Sequence, residues 1–470
     1  MGTYWDHERF RNENSIWNLD KKRREAINRS FAKMSRACRS FEYRTHVPDH
    51  IETDERDFSD TPHVPVYVVL PPGVINIECE LVDDERLLSQ LKTLKTVNVD
   101  GVSVDIWWGI VEANKPQKYK WRGYKKLFQM LLALDLEIQV FMSFHEFRGD
   151  DDEDVEIPLP KWIKEIGKEN RDIYFRDIHG KQKLECLTWG IDDQPVLRGR
   201  TALQVYTDFM RSFRSKFDKF FQSGSITNIQ IGLGASGELR YPANHGRSEY
   251  SSGIQCYDKY LKGYLEKAAK ENGDSSWGSK YGGFLEKWCS KYLIDHANKV
   301  LSMAQSVFEE AGYLSAKLSG MHWWVKPDSS PANAELKAGF ADGYAPLISM
   351  LAEYNASLNF TFGELRTLGL QEIFHPEMLV SQILNAAWDY GVEVAGENAH
   401  PCYDREGYNK ILELAKPRNL RFKRRRFTAL TYYRLNEVLL EQHNLKEFQL
   451  FIKRMHGKEA AAKNWIEFDS

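Results

Sequence analysis

Two glutamates in the 470-residue chain follow very small residues at the end of an apolar, β-branched stretch. Glu238 closes Gly232-Leu233-Gly234-Ala235-Ser236-Gly237-Glu238, and Glu397 closes Val394-Ala395-Gly396-Glu397. Small residues let a ligand come close to the backbone, and a carboxyl beside them can reach it. Facing one another, two such groups form the pair that glycoside hydrolysis requires. One carboxyl is kept protonated for the leaving oxygen, and the other is ionised to activate water or attack the anomeric carbon. Other polar residues stand at comparable places. Asp105 shares a strand face with Ser103 and Trp107 by two-residue alternation. His145 lies just past Phe141-Met142-Ser143-Phe144. Lys317, Thr361 and Arg434 end or follow further apolar runs, and His322-Trp323-Trp324 comes after Lys317. A fixed cation favours an ionised carboxylate and burial favours the protonated acid, so the sequence supplies both kinds of neighbour.

Elements that could hold these groups together recur from residue 64 onward. Eight β-branched runs stand out, each followed by a polar or aromatic loop and most by an amphipathic helical pattern. They are Val64–Leu70, Gly101–Trp107, Ile138–Phe144, Ile226–Leu233, Leu314–Ser319, Ser357–Phe362, Val392–Gly396 and Phe427–Tyr433. After the first run, Asp83 can cap a helix whose Leu87, Leu88, Leu91, Leu94 and Val97 form one stripe. After the fourth, Leu293, Ala297, Val300, Leu301, Ala304, Val307 and Phe308 do the same before Gly312. No glycine-rich phosphate turn follows the first strand. The pattern therefore predicts an α/β chain closed into a (β/α)8 TIM barrel with long loops at its C-terminal face, rather than a doubly wound sheet. In such a barrel the carboxyl ends of the strands carry the chemistry, and that is where the polar residues fall. The expected divisions are a charged, partly helical or disordered N-terminal arm over 1–62, the barrel over 63–457 and a C-terminal tail over 458–470.

Composition narrows the function classes. With 42% hydrophobic and 28% charged residues the chain has the balance of a soluble globular protein. It has no run of about 18 apolar residues that could span a bilayer. A net charge of −3 gives no global field for a polyanion, which argues against nucleic acid as the partner. Six scattered cysteines without a C-x-x-C pair suggest neither a zinc cluster nor a disulfide framework. Thirteen tryptophans suit stacking on flat sugar faces. Met1 to Asp20 reads as neither a secretory signal nor a transit peptide, so a cytoplasmic or nuclear location is the expectation. Lys21–Arg39 reads as a basic amphipathic helix, and Arg421–Arg426 as a charged loop or a nuclear signal.

From about Val64 to Gly457 the chain resembles the plant β-amylases, glycoside hydrolase family fourteen. The resemblance rests on Val104-Asp105-Ile106-Trp107-Trp108-Gly109, Met142-Ser143-Phe144-His145, the Gly232 to Pro242 stretch, Gln255-Cys256-Tyr257-Asp258-Lys259-Tyr260, Gly320-Met321-His322-Trp323-Trp324, Asn359-Phe360-Thr361 and Ala395-Gly396-Glu397-Asn398-Ala399. Cys402-Tyr403-Asp404-Arg405-Glu406-Gly407-Tyr408 and Arg454-Met455-His456-Gly457 look most like the branch whose members join such a barrel to an N-terminal DNA-binding domain. The resemblance implies Glu238 as general acid and Glu397 as general base, with inversion and release of β-maltose from α-1,4-glucan such as starch or a maltooligosaccharide. It implies sugar contacts from Asp105, His145, Glu153, Lys317, His322, Thr361, Asn398, Ala399 and Arg434, and no metal or organic cofactor.

The sequence departs from the family around the mouth. The glycine-rich lid is replaced by Glu146-Phe147-Arg148-Gly149-Asp150-Asp151-Asp152-Glu153-Asp154, with Glu153 where the family has a substrate-binding Asp. Thr361 is followed by Phe362 rather than Cys, and Ala399 by His400 rather than Leu. These changes keep two other readings in view: a catalytically degraded regulatory or glucan-sensing protein, and a retaining barrel glycosidase.

Overall fold

A computed structural model describes residues 56–149, 155–177, 179–242, 255–271, 283–308, 313–319, 344–362, 376–417 and 426–468. The basic segment Lys21–Arg39, the acidic positions 150–154 with Glu153, His322 with its two tryptophans, and 421–425 lie outside the described residues. The compact unit containing the barrel runs from Asp57 to Ser470.

Eight parallel strands close on themselves: β1 Val66–Val69, β2 Gly101–Trp107, β3 Glu137–Ser143, β4 Ile226–Ile231, β5 Tyr313–Ser319, β6 Ser357–Phe362, β7 Val394–Asn398 and β8 Leu430–Tyr432. Each pairs with the next, and β8 returns to β1 through Val66 opposite Leu430 and Val68 opposite Tyr432. The predicted (β/α)8 barrel is the observed one. Several strand ends shift, most of all at β8, which is cut to three residues, and one shift bears on the site: the seventh strand extends through Asn398, so Glu397 lies within β7 rather than after it.

The helices α1 Asp84–Thr96, α2 Arg122–Ala133, α3 Ala202–Lys216, α4 Gly283–Phe308, α5 Ala345–Glu353, α6 Pro376–Tyr390, α7 Arg405–Ala415 and α8 Gln442–His456 alternate with the strands. The Asp83 side chain accepts the Arg86 N–H, capping α1. Leu87, Leu91, Leu94 and Val97 are buried, while Leu88 is only partly so, at the edge of the stripe. Among the described residues no helix is long and apolar enough to cross a membrane.

Alternation along the strands sends apolar residues outward against the helices and polar residues into the barrel axis. A cavity of about 160 Å³ runs there, lined by Gln139, Asn228, Gln230, Ser315, Asn359 and Thr431 among others. These groups bond one another: Ser315 Oγ donates to Asn228 Oδ1 at 2.6 Å and Asn359 Nδ2 to Gln230 Oε1 at 2.6 Å. Below the barrel, Asp100 gathers the Val66 N–H, His456, Lys463 and His63. Lys458 N–H bonds Thr61 O, Val64 N–H bonds Met455 O, and Asn98 Nδ2 bonds Asn464 O. Residues 61–64 are thus sewn to the end of α8 and the turn after it, and Asn98 ties down the chain at Asn464.

Two excursions follow β3 that the strand pattern did not announce. Phe147–Arg148 pairs antiparallel with Glu156–Ile157, and Tyr174–Arg176 with Gln182–Leu187. Together they bring new polar groups over the carboxyl ends of β3 and β4.

Candidate active site

The strand register sets the positions of the site residues. Glu397 on β7 stands opposite Thr361 on β6 and Thr431 on β8, and Asn359 stands opposite Lys317 on β5. Glu397 is buried, and both its oxygens are bonded. Lys317 Nζ donates to Oε1 at 2.6 Å and Asn359 Nδ2 to Oε2 at 3.2 Å. Asn359 therefore bridges Glu397 to Gln230 on β4.

Glu238 comes from the irregular exit of β4, a turn in which Ser236 adopts φ 52°, ψ 22° and Gly237 φ 72°. A Cβ on Gly237 would lie 2.0 Å from Phe141 Cζ, so glycine is required there by both space and backbone. The Glu238 carboxylate is buried and accepts Arg240 Nε at 2.7 Å. The following N–H, of Leu239, donates to Lys317 O at 2.9 Å. Lys317 thus ties the two acids together, its carbonyl holding the Glu238 segment and its ammonium holding Glu397. Burial alone would pull its pKa down, but the charges of Glu397 and Glu238 outweigh that and push it up.

Asp105 on β2 accepts Ser143 Oγ at 2.8 Å from β3. Burial lifts its pKa to about 6, against the opposing effects of Ser143 and Lys317. His145 is buried, with Trp107 edge-on at 5.2 Å between ring centres. Burial, and then the charges of Lys317 and Arg240, depress its pKa to about 3, so the imidazole is neutral at pH 7. His145 Nδ1, Asn359 Oδ1 and Thr361 Oγ1 are buried without a hydrogen-bond partner. Unmet donors and acceptors of this kind, in a site holding three carboxyls and a tryptophan, suit a polyhydroxylated ligand.

The structure brings Glu238, Glu397, Asp105, His145, Lys317 and Thr361 to one end of the barrel. Asn398 is there too, but its amide is engaged otherwise. Nδ2 donates to His400 O at 2.7 Å and to Tyr433 O at 3.2 Å, and Oδ1 accepts the Tyr433 N–H at 2.9 Å. Its side chain latches the exits of β7 and β8 together. Ala399 is half-buried, its N–H given to Phe362 O at 3.1 Å, and Arg434 lies with its guanidinium 4.6 Å from the Tyr433 ring centre. His400 is exposed, and Phe362 is buried against Phe427. Glu146, the first acid of the charged run, is not solvated. It is buried and bonded to Arg148 Nε at 2.6 Å, with Lys164 Nζ at 3.4 Å.

Sequence reasoning gave no role to Asn359, Gln230, Ser143, Arg240 or Glu185. Asn359 was within reach, since it lies two residues before Thr361 on the same strand face. Glu185 was not, because it comes from the second excursion.

Fold and site together define a (β/α)8 barrel with paired buried carboxylates at its strand ends, the architecture of many glycosidases. The Glycosyl hydrolase family 14 model matches residues 67–275 and 272–461, so the chain belongs to that family. It is 52% identical over 448 residues to Beta-amylase 2, chloroplastic, of Arabidopsis thaliana, covering 87% of this chain and 82% of that one. Against the Beta-amylase of Glycine max it is 37% identical over 442 residues, covering 86% and 89%. Among solved structures, the catalytic domain of the beta-amylase from Paenibacillus polymyxa superposes with a TM-score of 0.69 at 24% identity, over 83% of this chain and 98% of that one. At that identity the match speaks for the fold.

Proposed function

We propose that the chain is an exo-acting β-amylase-type hydrolase of α-1,4-glucan that releases β-maltose with inversion. Glu238 gives its proton to the glycosidic oxygen as the bond to the anomeric carbon breaks. Glu397 takes a proton from the water that adds to that carbon from the opposite face. Lys317 and Asn359 hold the Glu397 carboxylate in place, and Asp105, neutral His145, Thr361 and Arg434 are the polar contacts for sugar hydroxyls. Glu153, His322 and Ala399 complete the proposed contact set, with Asn398 shaping the rim through its latch.

One observation carries this reading: two buried carboxylates, one in the turn after β4 and one on β7, each bonded to a cation and linked through Lys317. The relatives named beta-amylase, at up to 52% identity, support the same assignment. The test is proton NMR of maltopentaose hydrolysis, which reports both rate and anomer. β-Maltose as first product, lost in Glu238→Gln and Glu397→Gln, is the expected result. α-Maltose would indicate retention, and no maltose from the parent would leave the regulatory or glucan-sensing alternative.

A further inference from the structure

The turn that carries Glu238 is held in a conformation that its own sequence does not favour. Ser236 has a left-handed backbone, a region costing a non-glycine residue about 1 kcal/mol or more unless its surroundings impose it. Both polar groups of Ser236 are engaged by one side chain from elsewhere in the chain. Glu185 Oε1 accepts the Ser236 N–H at 2.5 Å and the Ser236 Oγ–H at 3.1 Å. Arg240 completes the circuit, with Nη2 donating to Ser236 Oγ at 3.0 Å and Nε to Glu238 Oε2 at 2.7 Å. Glu185 is itself anchored, since its carbonyl accepts the Glu146 N–H at 2.7 Å, next to His145.

We propose that Glu185 is a positioning residue of the hydrolytic reaction, fixing the Ser236 turn and sharing Arg240 with Glu238 so that the Glu238 carboxyl is aimed at the scissile oxygen. This rests on the reading of Glu238 as the general acid. Glu185 acts in two ways. Its oxygen sets geometry, because without it Ser236 relaxes toward an ordinary backbone and the carboxyl two residues on swings with it. Its charge is a second acidic influence on Arg240 beside that of Glu238. Among the described residues, Glu185 acts electrostatically on Arg240 from the β4 exit, Arg148 from the first excursion and the Cys186 thiol beside it in the chain. Arg240 stays protonated, since burial, the largest influence on it, is outweighed by Glu238 and Glu185.

The experiment compares the full chain with Glu185→Ala and Glu185→Gln, using steady-state maltose release from maltopentaose with thermal unfolding as the fold control. Misplacement of a reacting group by about 1 Å costs on the order of 100-fold. Glu185→Ala is therefore expected to lower kcat by about 10- to 100-fold with KM changed less than about threefold. Glu185→Gln keeps an acceptor for Ser236 and is expected to recover most of that loss. With Arg240 left to Glu238, which favours the carboxylate, the alkaline limb of its kcat profile moves to lower pH. A parental kcat in Glu185→Ala overturns the proposal, as does a loss confined to KM. If the alanine variant does not fold, the glutamine profile decides, and an unmoved alkaline limb refutes the role. Glu238→Gln is the separate control: activity surviving there would sink the assignment of the acid, whatever Glu185 does.

Discussion

Replacing Lys317 by methionine removes the charge that joins the two acids while keeping most of the side-chain volume. The ammonium lies 2.6 Å from Glu397 Oε1. Coulomb's law at an effective dielectric of about 20 puts the gross attraction at roughly 6 kcal/mol. Desolvation of both groups offsets much of this, and breaking a buried pair by deleting one partner costs about 3–5 kcal/mol. The protein can escape part of that cost by protonating Glu397, which removes the unpaired buried charge. A protonated Glu397 is no base. Lys317→Met is therefore expected to lower kcat at neutral pH by about 100- to 10,000-fold, the usual worth of a positioned general base. The acid limb of its rate profile should move to higher pH. Because the folded-state pKa of Lys317 is raised, its contribution to stability is fully present below the ordinary lysine value and is lost only as pH rises through the folded one. Neutral-pH assays thus see all of it. Maltose release across the acid limb, with urea unfolding of the same samples, makes the measurement. Parental kcat with an unmoved acid limb would refute the claim that this ammonium sustains the Glu397 carboxylate.

Three further outcomes follow from the structure. Asn398→Ala leaves the Tyr433 N–H and two carbonyls short of a partner and is expected to cost about 2–4 kcal/mol in chemical denaturation; a loss under about 0.5 kcal/mol would mean the latch is idle. His145, depressed to about 3 chiefly by burial, should stay neutral by NMR where an exposed histidine titrates. Its unfolded form gains a proton first, so stability should fall as pH drops from about 6.5 toward 3, and an NMR midpoint near 6.5 would contradict the packing around it. Burial works against the ionised form of Asp100, yet hydrogen bonds from His456 and His63 hold its carboxyl well below the usual value. Asp100→Asn should therefore destabilise by about 3–5 kcal/mol at neutral pH, and the gap should close as acid protonates the parent; equal unfolding midpoints for parent and variant would refute it.

The barrel was legible because its physics is periodic. Alternation in Gly101–Trp107 put Asp105 on the inner face, and the same rule read backward from Thr361 would have reached Asn359. Small residues before Glu238 and Glu397 marked where a ligand can approach the backbone, although Glu397 proved to lie inside its strand and Glu238 well beyond the end of β4. What escaped depends on chain segments meeting without any local pattern. Nothing in Gln182–Leu187 announces that Glu185 will reach across to Ser236, and nothing around Asn398 says that its amide will serve two neighbouring backbones. Glu146 shows the same limit. Read as one of a run of carboxylates it belongs in water, whereas Arg148 two residues on and Lys164 from a later helix make its burial tolerable.

The stitching beneath the barrel has a consequence for engineering. Residues 61–64 and the stretch from Met455 to Glu459 hold hands on the face opposite the reaction centre, and Asn98 and Asp100 hold the chain on to Asn464. A short peptide could splice them into a ring, and the ring could be reopened at a tip between helix and strand such as Gly224, which is exposed and where an added Cβ would meet nothing within 4 Å. A circularly permuted enzyme of this kind would keep every side chain of the mouth on unbroken scaffold.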